Sequence, residues 1–213
     1  MKIIKTAQTK ENNTITLLET ENKIYDKAIL IIGVFHGEEP QGEYLINKFL
    51  KTDLSEIKNK LLVIPCLNPD GKAKNQRQNA NGVDLNRNFP AKNWCITDKN
   101  EYFGGDAPSS ETETRFVVDI LKNRAIDAVL SLHAPFKTVN YDGPAEKLAA
   151  KISQITNYPV QQNIGYPTPG SFGTYAGIER NIPVITLELP ENETNEQLWK
   201  TNKNVFDYLS REY

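Results

Sequence analysis

The sequence predicts an α/β protein: a single domain whose mixed, largely parallel sheet is flanked by helices. Three observations carry this. Four apolar runs of strand length, 28–35, 61–67, 126–132 and 183–189, show the continuous hydrophobicity of strands covered on both faces. Residues at helical spacing lie between them, such as Tyr44, Leu45, Phe49 and Leu50, or Phe116, Val117, Ile120 and Leu121. Strands that alternate with helices build parallel sheets. The 213 residues suit one domain over 1–213, since single cores stop growing at roughly 250–300 residues. No repeat, low-complexity tract or linker divides the chain.

In chain order, residues 1–27 are polar with weak alternation near Thr14–Leu18, which predicts a strand or hairpin at a sheet edge. The first apolar run ends at His36, Glu38 and Glu39. Pro40 and the acids before it then suit a helix start. The second run leads into Asn68-Pro-Asp-Gly71, a turn by composition. Residues 72–108 form a long polar connector with apolar anchors (Val83, Leu85, Phe89, Trp94, Tyr102 and Phe103), and connectors of that length are usually functional. Ser110-x-x-Glu113 reads as a capping box that opens a helix to about Asn123. The third run ends at His133. A short strand is predicted at 137–141, a helix from Pro144 to about Ile155, and a Gly/Pro-rich loop over 163–175. Residues 176–181 read as the end of a short helix, and the fourth run follows. A second capping box, Thr194-x-x-Gln197, opens the last helix, with Leu198, Val205, Phe206 and Leu209 inside.

Composition narrows the function. The 25 basic and 27 acidic residues give a net charge of −2, so no basic field draws nucleic acid. No run approaches the roughly 18 apolar residues that span a bilayer, and no membrane partner is expected. The N-terminal stretch lacks the apolar core of a signal peptide, so a cytoplasmic protein is expected. Two cysteines, Cys66 and Cys95, make no disulfide framework. Cys66 should pack as a small hydrophobe.

Both histidines of the chain, His36 and His133, stand at the ends of apolar strands, and a third strand ends at Glu188. In open α/β sheets ligands bind outside the carboxyl ends of strands, so these ends can converge. Two imidazoles and the carboxylate of Glu39 are the ligand set of a catalytic zinc that keeps a fourth position for water. Glu188 would stand beside that water as general base. The alternatives are plain: each histidine could be a core residue with satisfied hydrogen bonds, and Glu188 could sit in solvent at the sheet rim. A Cys2His2 structural zinc site lacks the paired spacing it needs. In the polar connector, Arg77, Asn86 and Arg87 suit recognition of a carboxylate or of a developing oxyanion, or the arginines could simply pair with surface acids.

The motifs His36-Gly-Glu-Glu39, Asn68-Pro-Asp-Gly71, Gly82-Val-Asp-Leu-Asn-Arg-Asn-Phe-Pro90, Ser110-Glu-Thr-Glu-Thr-Arg115, Ser131-Leu-His133 and Thr186-Leu-Glu-Leu189 resemble, in order, those of the zinc carboxypeptidases. The resemblance implies one Zn2+ per chain on His36, Glu39 and His133, with Glu188 as general base and then acid. It further implies Arg77 as the oxyanion-stabilising arginine and Asn86 with Arg87 as the grip on the substrate's terminal carboxylate. Tyr166 matches the family's mobile tyrosine, and Phe172 falls near its specificity position. Within the family, Gly104–Thr114, Tyr166–Thr174 and Ile182–Pro190 look like the bacterial murein peptide amidases. That likeness implies a small peptide substrate, murein tripeptide, cut at its γ-D-Glu–meso-diaminopimelate bond. Thr112 departs from the family, which often has Pro there. Ala134-Pro135 after His133 lacks the aromatic of the digestive enzymes. An ordinary carboxypeptidase, or an N-acyl-amino-acid deacylase sharing the Gly-x-His-Gly-x-Glu start, is the alternative. Incubation with murein peptide and with an N-succinyl amino acid separates these readings.

Overall fold

The computed structural model describes residues 1–162 and 165–213. Its strands are β1 (Lys2–Gln8), β2 (Thr14–Glu19), β3 (Ala28–Ile32), β4 (Lys60–Ile64), β5 (Ala128–His133), β6 (Thr138–Asp142), β7 (Val160–Gln161) and β8 (Val184–Glu188). They form one sheet in the order β1-β2-β4-β3-β5-β8-β6-β7. The four apolar runs are its parallel centre, β4-β3-β5-β8; β2 and β6 join it antiparallel on either flank, β1 pairs antiparallel with β2, and β7 pairs parallel with β6. The residues expected to form an edge hairpin do so as β1 and β2.

Alternation along each central strand divides the core in two. Ile29, Ile31, Leu61, Val63, Leu130, Leu132, Ile185 and Leu187 face helices α1 (Gln41–Phe49), α4 (Glu146–Thr156) and α5 (Asn195–Arg211). Leu30, Ile32, Leu62, Ile64, Val129 and Val184 face α3 (Thr112–Asn123) and the long connector, whose anchors Leu85 and Phe89 are buried. Strands buried on both faces must be apolar throughout, and each fully buried Leu or Ile contributes about 1.5–3 kcal/mol.

Three local expectations change. Asn68-Pro-Asp-Gly71 opens a short helix, α2 (Pro69–Lys74), because the Asn68 side chain accepts from the Gly71 N–H and Pro69 sits where a helix needs no donor. The Ser110 capping box does not form. The helix starts at Thr112 without a side-chain cap, and the Ser110 hydroxyl donates to Glu111 while accepting from Asn88. By contrast, Thr194 and Gln197 make both capping-box bonds. The loop expected over 163–175 begins at residues outside those described. From Gly165 it runs to a π-helix, Gly173–Ile178, where the end of a helix was expected. Cys66 is half-buried, and burial pushes its thiol up to about 12, in keeping with an inert packing role.

The sheet order creates the site. The chain leaves β3 to one side for β4, and β5, on the other side of β3, leads away to β8. The carboxyl ends of β3 and β5 therefore flank a topological switch point, where the outgoing loops part and leave a crevice.

Candidate active site

Each strand end delivers its residue by a different device. After β3 the chain leaves the sheet at Gly33 and turns through Val34, which has a left-handed φ of 55°. A β-branched residue there costs on the order of 1–3 kcal/mol and persists only where its surroundings enforce it. The enforcement is visible: the N–H groups of Leu67 and Asn68 donate to the carbonyls of Gly33 and Val34. The Asn68 side chain donates to the carbonyls of Phe35 and Arg77. Gly37 lies so close to α2 that a Cβ there would come within 2.0 Å of the Gly71 carbonyl carbon. The motif read as a turn thus braces the His36 loop. Its Asp70 also holds the β1–β2 turn, accepting from Thr9, Glu11 and Asn13.

His133 ends β5 directly opposite Glu188 of β8 in the parallel register. His36 Nδ1 lies 2.9 Å from Glu39 Oε1, and His133 Nδ1 lies 3.1 Å from Glu39 Oε2. One donor atom from each of the three comes within 4.8 Å of the others, and all three residues are buried. Phe35 stacks on the His133 ring at 5.1 Å and fixes its plane.

Asp84 organises a second layer that sequence reasoning passed over. It is fully buried and accepts from four groups. Its Oδ1 lies 3.1 Å from His36 Nε2 and takes the Asn86 N–H at 2.8 Å. Its Oδ2 takes Arg77 Nε at 2.9 Å, with Arg77 Nη2 at 2.8 Å. A proton on His36 Nε2 shared with Asp84 leaves the Nδ1 lone pair for a metal, the usual outer-shell arrangement for a ligating histidine. One signal was available: an acid between Val83 and Leu85, both buried anchors, must be buried with partners.

The charges follow from this geometry. Burial alone would drive the proton from His36, but Glu39 and Asp84 on either side outweigh it and raise the imidazole to about 9 in the metal-free protein. Burial likewise works against ionised Glu39 and Asp84, yet His36 holds both well below the usual carboxylate range. Glu188 goes the other way: burial, opposed by His133 and reinforced by Glu39, raises it. Its Oε2 is buried with no hydrogen-bond partner among the described residues.

The cavity at the switch point is lined by His36, Glu39, His133, Glu188, Arg77, Asn86, Arg87 and Tyr166, so eight of the nine residues singled out from the sequence meet there. Asn86 Oδ1 accepts the Phe172 N–H at 2.9 Å, and Arg87 Nη1 donates to the Asn86 carbonyl at 2.7 Å. The two guanidinium groups share the face of Tyr102, at 5.1 and 5.7 Å. Tyr166 is 45% exposed at the rim. Phe172 is not among the residues that line the cavity. Expected as a substrate contact, it is 2% exposed and packs between Phe35 and Phe89, so its side chain supports the site from the core. An aromatic in a polar loop gives no sign of which way it faces.

A model of the zinc carboxypeptidase family matches residues 1–148. The chain belongs to the zinc carboxypeptidase family. The match includes His36, Glu39, His133, Arg77, Asn86 and Arg87; Glu188 lies beyond it and is placed by its register with His133. The chain is 32% identical over 179 residues to murein peptide amidase A of Escherichia coli K12, covering 78% of this chain and 73% of that protein. It is 34% identical over 176 residues to murein peptide amidase A of Vibrio campbellii, covering 76% and 68%. The crystal structure of murein-tripeptide amidase from Escherichia coli O157 superposes with a TM-score of 0.85 at 27% identity, over 97% of this chain and 90% of that one. Carboxypeptidase A from Helicoverpa armigera shares the fold, with a TM-score of 0.78 at 17% identity, over 98% of this chain and 66% of that one. The protein is thus a metallopeptidase of the zinc carboxypeptidase type with a His-Glu-His candidate metal site.

The residues present fit the ion. Two imidazoles and one carboxylate form a catalytic zinc ligand set, and Asp84 orients one imidazole. The orphaned Glu188 Oε2 is a buried acceptor without a partner beside them, as a water awaiting deprotonation would require.

Proposed function

We propose that this protein hydrolyses the γ-D-Glu–meso-diaminopimelate amide of murein tripeptide, with one zinc held by His36, Glu39 and His133. The single observation that carries the chemistry is the meeting of these ligands at the sheet's switch point with Glu188, whose Oε2 has no hydrogen-bond partner among the described residues. The substrate is inferred from the likeness to the murein peptide amidases.

Zinc bound there supplies Lewis acidity to a water molecule and to the scissile carbonyl. The chain's own groups do the rest. Glu188 takes a proton from the attacking water and passes it to the departing amine. Its raised pKa keeps proton uptake favourable and return to the nitrogen easy. Arg77 is locked to Asp84 through Nε and Nη2, while Nη1 makes only a 4.0 Å contact to Glu39, so Nη1 is the donor for the oxyanion. A donor of this kind is worth about 2.7–4 kcal/mol in the transition state. Asn86 and Arg87 hold the carboxylate on the leaving residue, the guanidinium through the donors that its bond to the Asn86 carbonyl leaves over. Tyr166 covers the cavity from its rim. Among the described residues no helix is long and apolar enough to cross a membrane, and both cysteines are free, which suits work in the cytoplasm on a recycled, soluble peptide.

The test is a substrate panel on the zinc-loaded protein: L-Ala-γ-D-Glu-meso-diaminopimelate, an ordinary peptide with a free C-terminus, and an N-succinyl amino acid. Release of diaminopimelate from the first, well above amine release from the others, is expected. Preferential cleavage of the succinyl compound would replace this reading with a deacylase.

A further inference from the structure

Arg87 is a buried charge with little to hold it. Arg77 is tied to Asp84 through Nε and Nη2 and lies 4.0 Å from Glu39. Arg87 is 5% exposed, yet among the described residues it makes no ion pair, and its side chain has one hydrogen bond, from Nη1 to the Asn86 carbonyl. A long side chain fastened at one corner keeps much of its rotamer freedom unless another contact fixes its plane.

Tyr102 supplies that contact. Its ring centroid lies 5.7 Å from Arg87 Cζ and 5.1 Å from Arg77 Cζ, within the roughly 6 Å at which a ring face attracts a cation. The side chain is 42% exposed and its hydroxyl bonds to no described residue, so the ring is what the arginines meet. The backbone that carries the ring is pinned from three sides. The Tyr102 N–H donates to Asn100 Oδ1 at 2.8 Å, the Asn100 carbonyl accepts from Gln78 Nε2 at 2.7 Å, and the Phe103 carbonyl accepts the Asp84 N–H at 2.8 Å. At Gly104 an added Cβ would fall 2.6 Å from the Arg87 carbonyl oxygen, so this segment lies directly against the arginine's own backbone.

The far side of the ring explains why it matters. A groove of about 490 Å³, open to solvent, shares Arg87 and Tyr166 with the active-site cavity. Tyr102 lines the groove and not the cavity. The other groove residues, Thr97, Asn100, Pro167 and Pro169, carry no charge. Arg87 is therefore part of the wall between cavity and groove. Without the ring its guanidinium has room to swing outward, and no carboxylate waits there to hold it.

We propose that Tyr102 is a positioning residue, whose ring holds the Arg87 guanidinium toward the cavity and so fixes the terminal carboxylate of the substrate. This rests on the reading above that Arg87 grips that carboxylate, and it deepens it. Arg77 keeps both bonds to Asp84 when the ring is lost, so the effect falls on substrate binding and not on the chemical step.

The test is steady-state kinetics of the zinc-loaded protein on whichever compound of the substrate panel is cleaved fastest. Tyr102→Leu, which keeps an apolar side chain but no ring, should raise KM by on the order of 3–30-fold and change kcat by less than about threefold. Tyr102→Phe, which keeps the ring, should bring KM back to within about threefold of wild type. In Arg87→Ala, adding Tyr102→Leu should change kcat/KM by less than about twofold, because the ring acts through the arginine. Tyr102→Met repeats the measurement if melting shows Tyr102→Leu to be misfolded. A wild-type KM in the folded ring-less variants, a loss in kcat larger than that in KM, an equal loss in Tyr102→Phe, or a full loss on top of Arg87→Ala would each overturn the proposal. If another compound than the tripeptide is the substrate, the murein reading falls and the KM effect is read on that compound. Cleavage of the tripeptide with KM indifferent to the ring does the reverse, and cleavage of no compound removes both.

Discussion

Asp84→Asn isolates the carboxylate that joins His36, a proposed metal ligand, to Arg77, the proposed oxyanion donor. The substitution keeps the shape but not the bonding. Asp84 now offers acceptors on both oxygens, one toward His36 Nε2 and the Asn86 N–H and the other toward Arg77 Nε and Nη2. An amide has one oxygen. If it faces His36, the new NH2 points at the Arg77 donors; if it faces Arg77, the NH2 points at the Asn86 N–H and deprives His36 of its acceptor. Arg77 is largely buried, and breaking a buried pair from one side typically costs about 3–5 kcal/mol. Loss of an outer-shell partner costs roughly 10–100-fold in metal affinity. A displaced oxyanion donor costs about 10²–10³ in turnover. Three measurements separate the effects: thermal melting, zinc competition against a chelator, and kcat/KM at saturating zinc. All three should fall, and the rate should stay low when zinc is saturating. A variant with normal turnover at saturating zinc would refute the claim that Asp84 positions Arg77, and one with unchanged zinc affinity would refute its hold on His36.

Other expectations follow from the same geometry. Glu188→Gln should keep stoichiometric zinc and lose about 10²–10⁴ in kcat, since it removes only proton transfer; near-normal turnover would take Glu188 out of the mechanism. In the metal-free protein, His36 is raised from 6.5 to about 9, so its stabilisation is full below pH 6.5 and is lost as pH rises through 9. At 1.36 kcal/mol per unit this amounts to roughly 3 kcal/mol. Melting of the chelated protein should therefore fall between pH 6.5 and 9, whereas the zinc-loaded protein, whose His36 carries no Nδ1 proton, should not show that slope. Identical profiles would disprove the coupling. Gly37→Ala should lower both stability and zinc affinity, because its methyl group collides with the α2 backbone at Gly71. Normal zinc binding in that variant would show that α2 does not brace the loop.

Most of the site was legible because its residues sit where strands end. Continuous apolar runs announce buried parallel strands, and a polar residue at the end of such a run has few places to go except the switch-point crevice. His36, His133 and Glu188 follow from that rule. Asp84 did not, because a loop residue's burial depends on how the connector folds back, and Val83 and Leu85 only hint at it. The two capping boxes show the same limit. Thr194 and Gln197 meet no competitor and form both bonds, whereas Ser110 is taken by Asn88 and Glu111, groups remote from the helix pattern or adjacent to it. Asn68-Pro-Asp-Gly71 has the composition of a turn, yet the cap on Gly71 and the tertiary bonds of Asn68 and Asp70 make it the start of a helix. Phe172 was expected at the pocket because it falls near the family's specificity position, but its side chain packs in the aromatic cluster behind His133.

The most direct test of the metal centre and its reaction is a zinc titration of the chelated protein, with products of L-Ala-γ-D-Glu-meso-diaminopimelate identified by mass spectrometry at each step. Free diaminopimelate and the intact Ala-Glu dipeptide should appear in proportion to added zinc and level off at one zinc per chain. Cleavage before any zinc is added, or no diaminopimelate at any zinc level, would contradict a catalytic zinc on His36, Glu39 and His133.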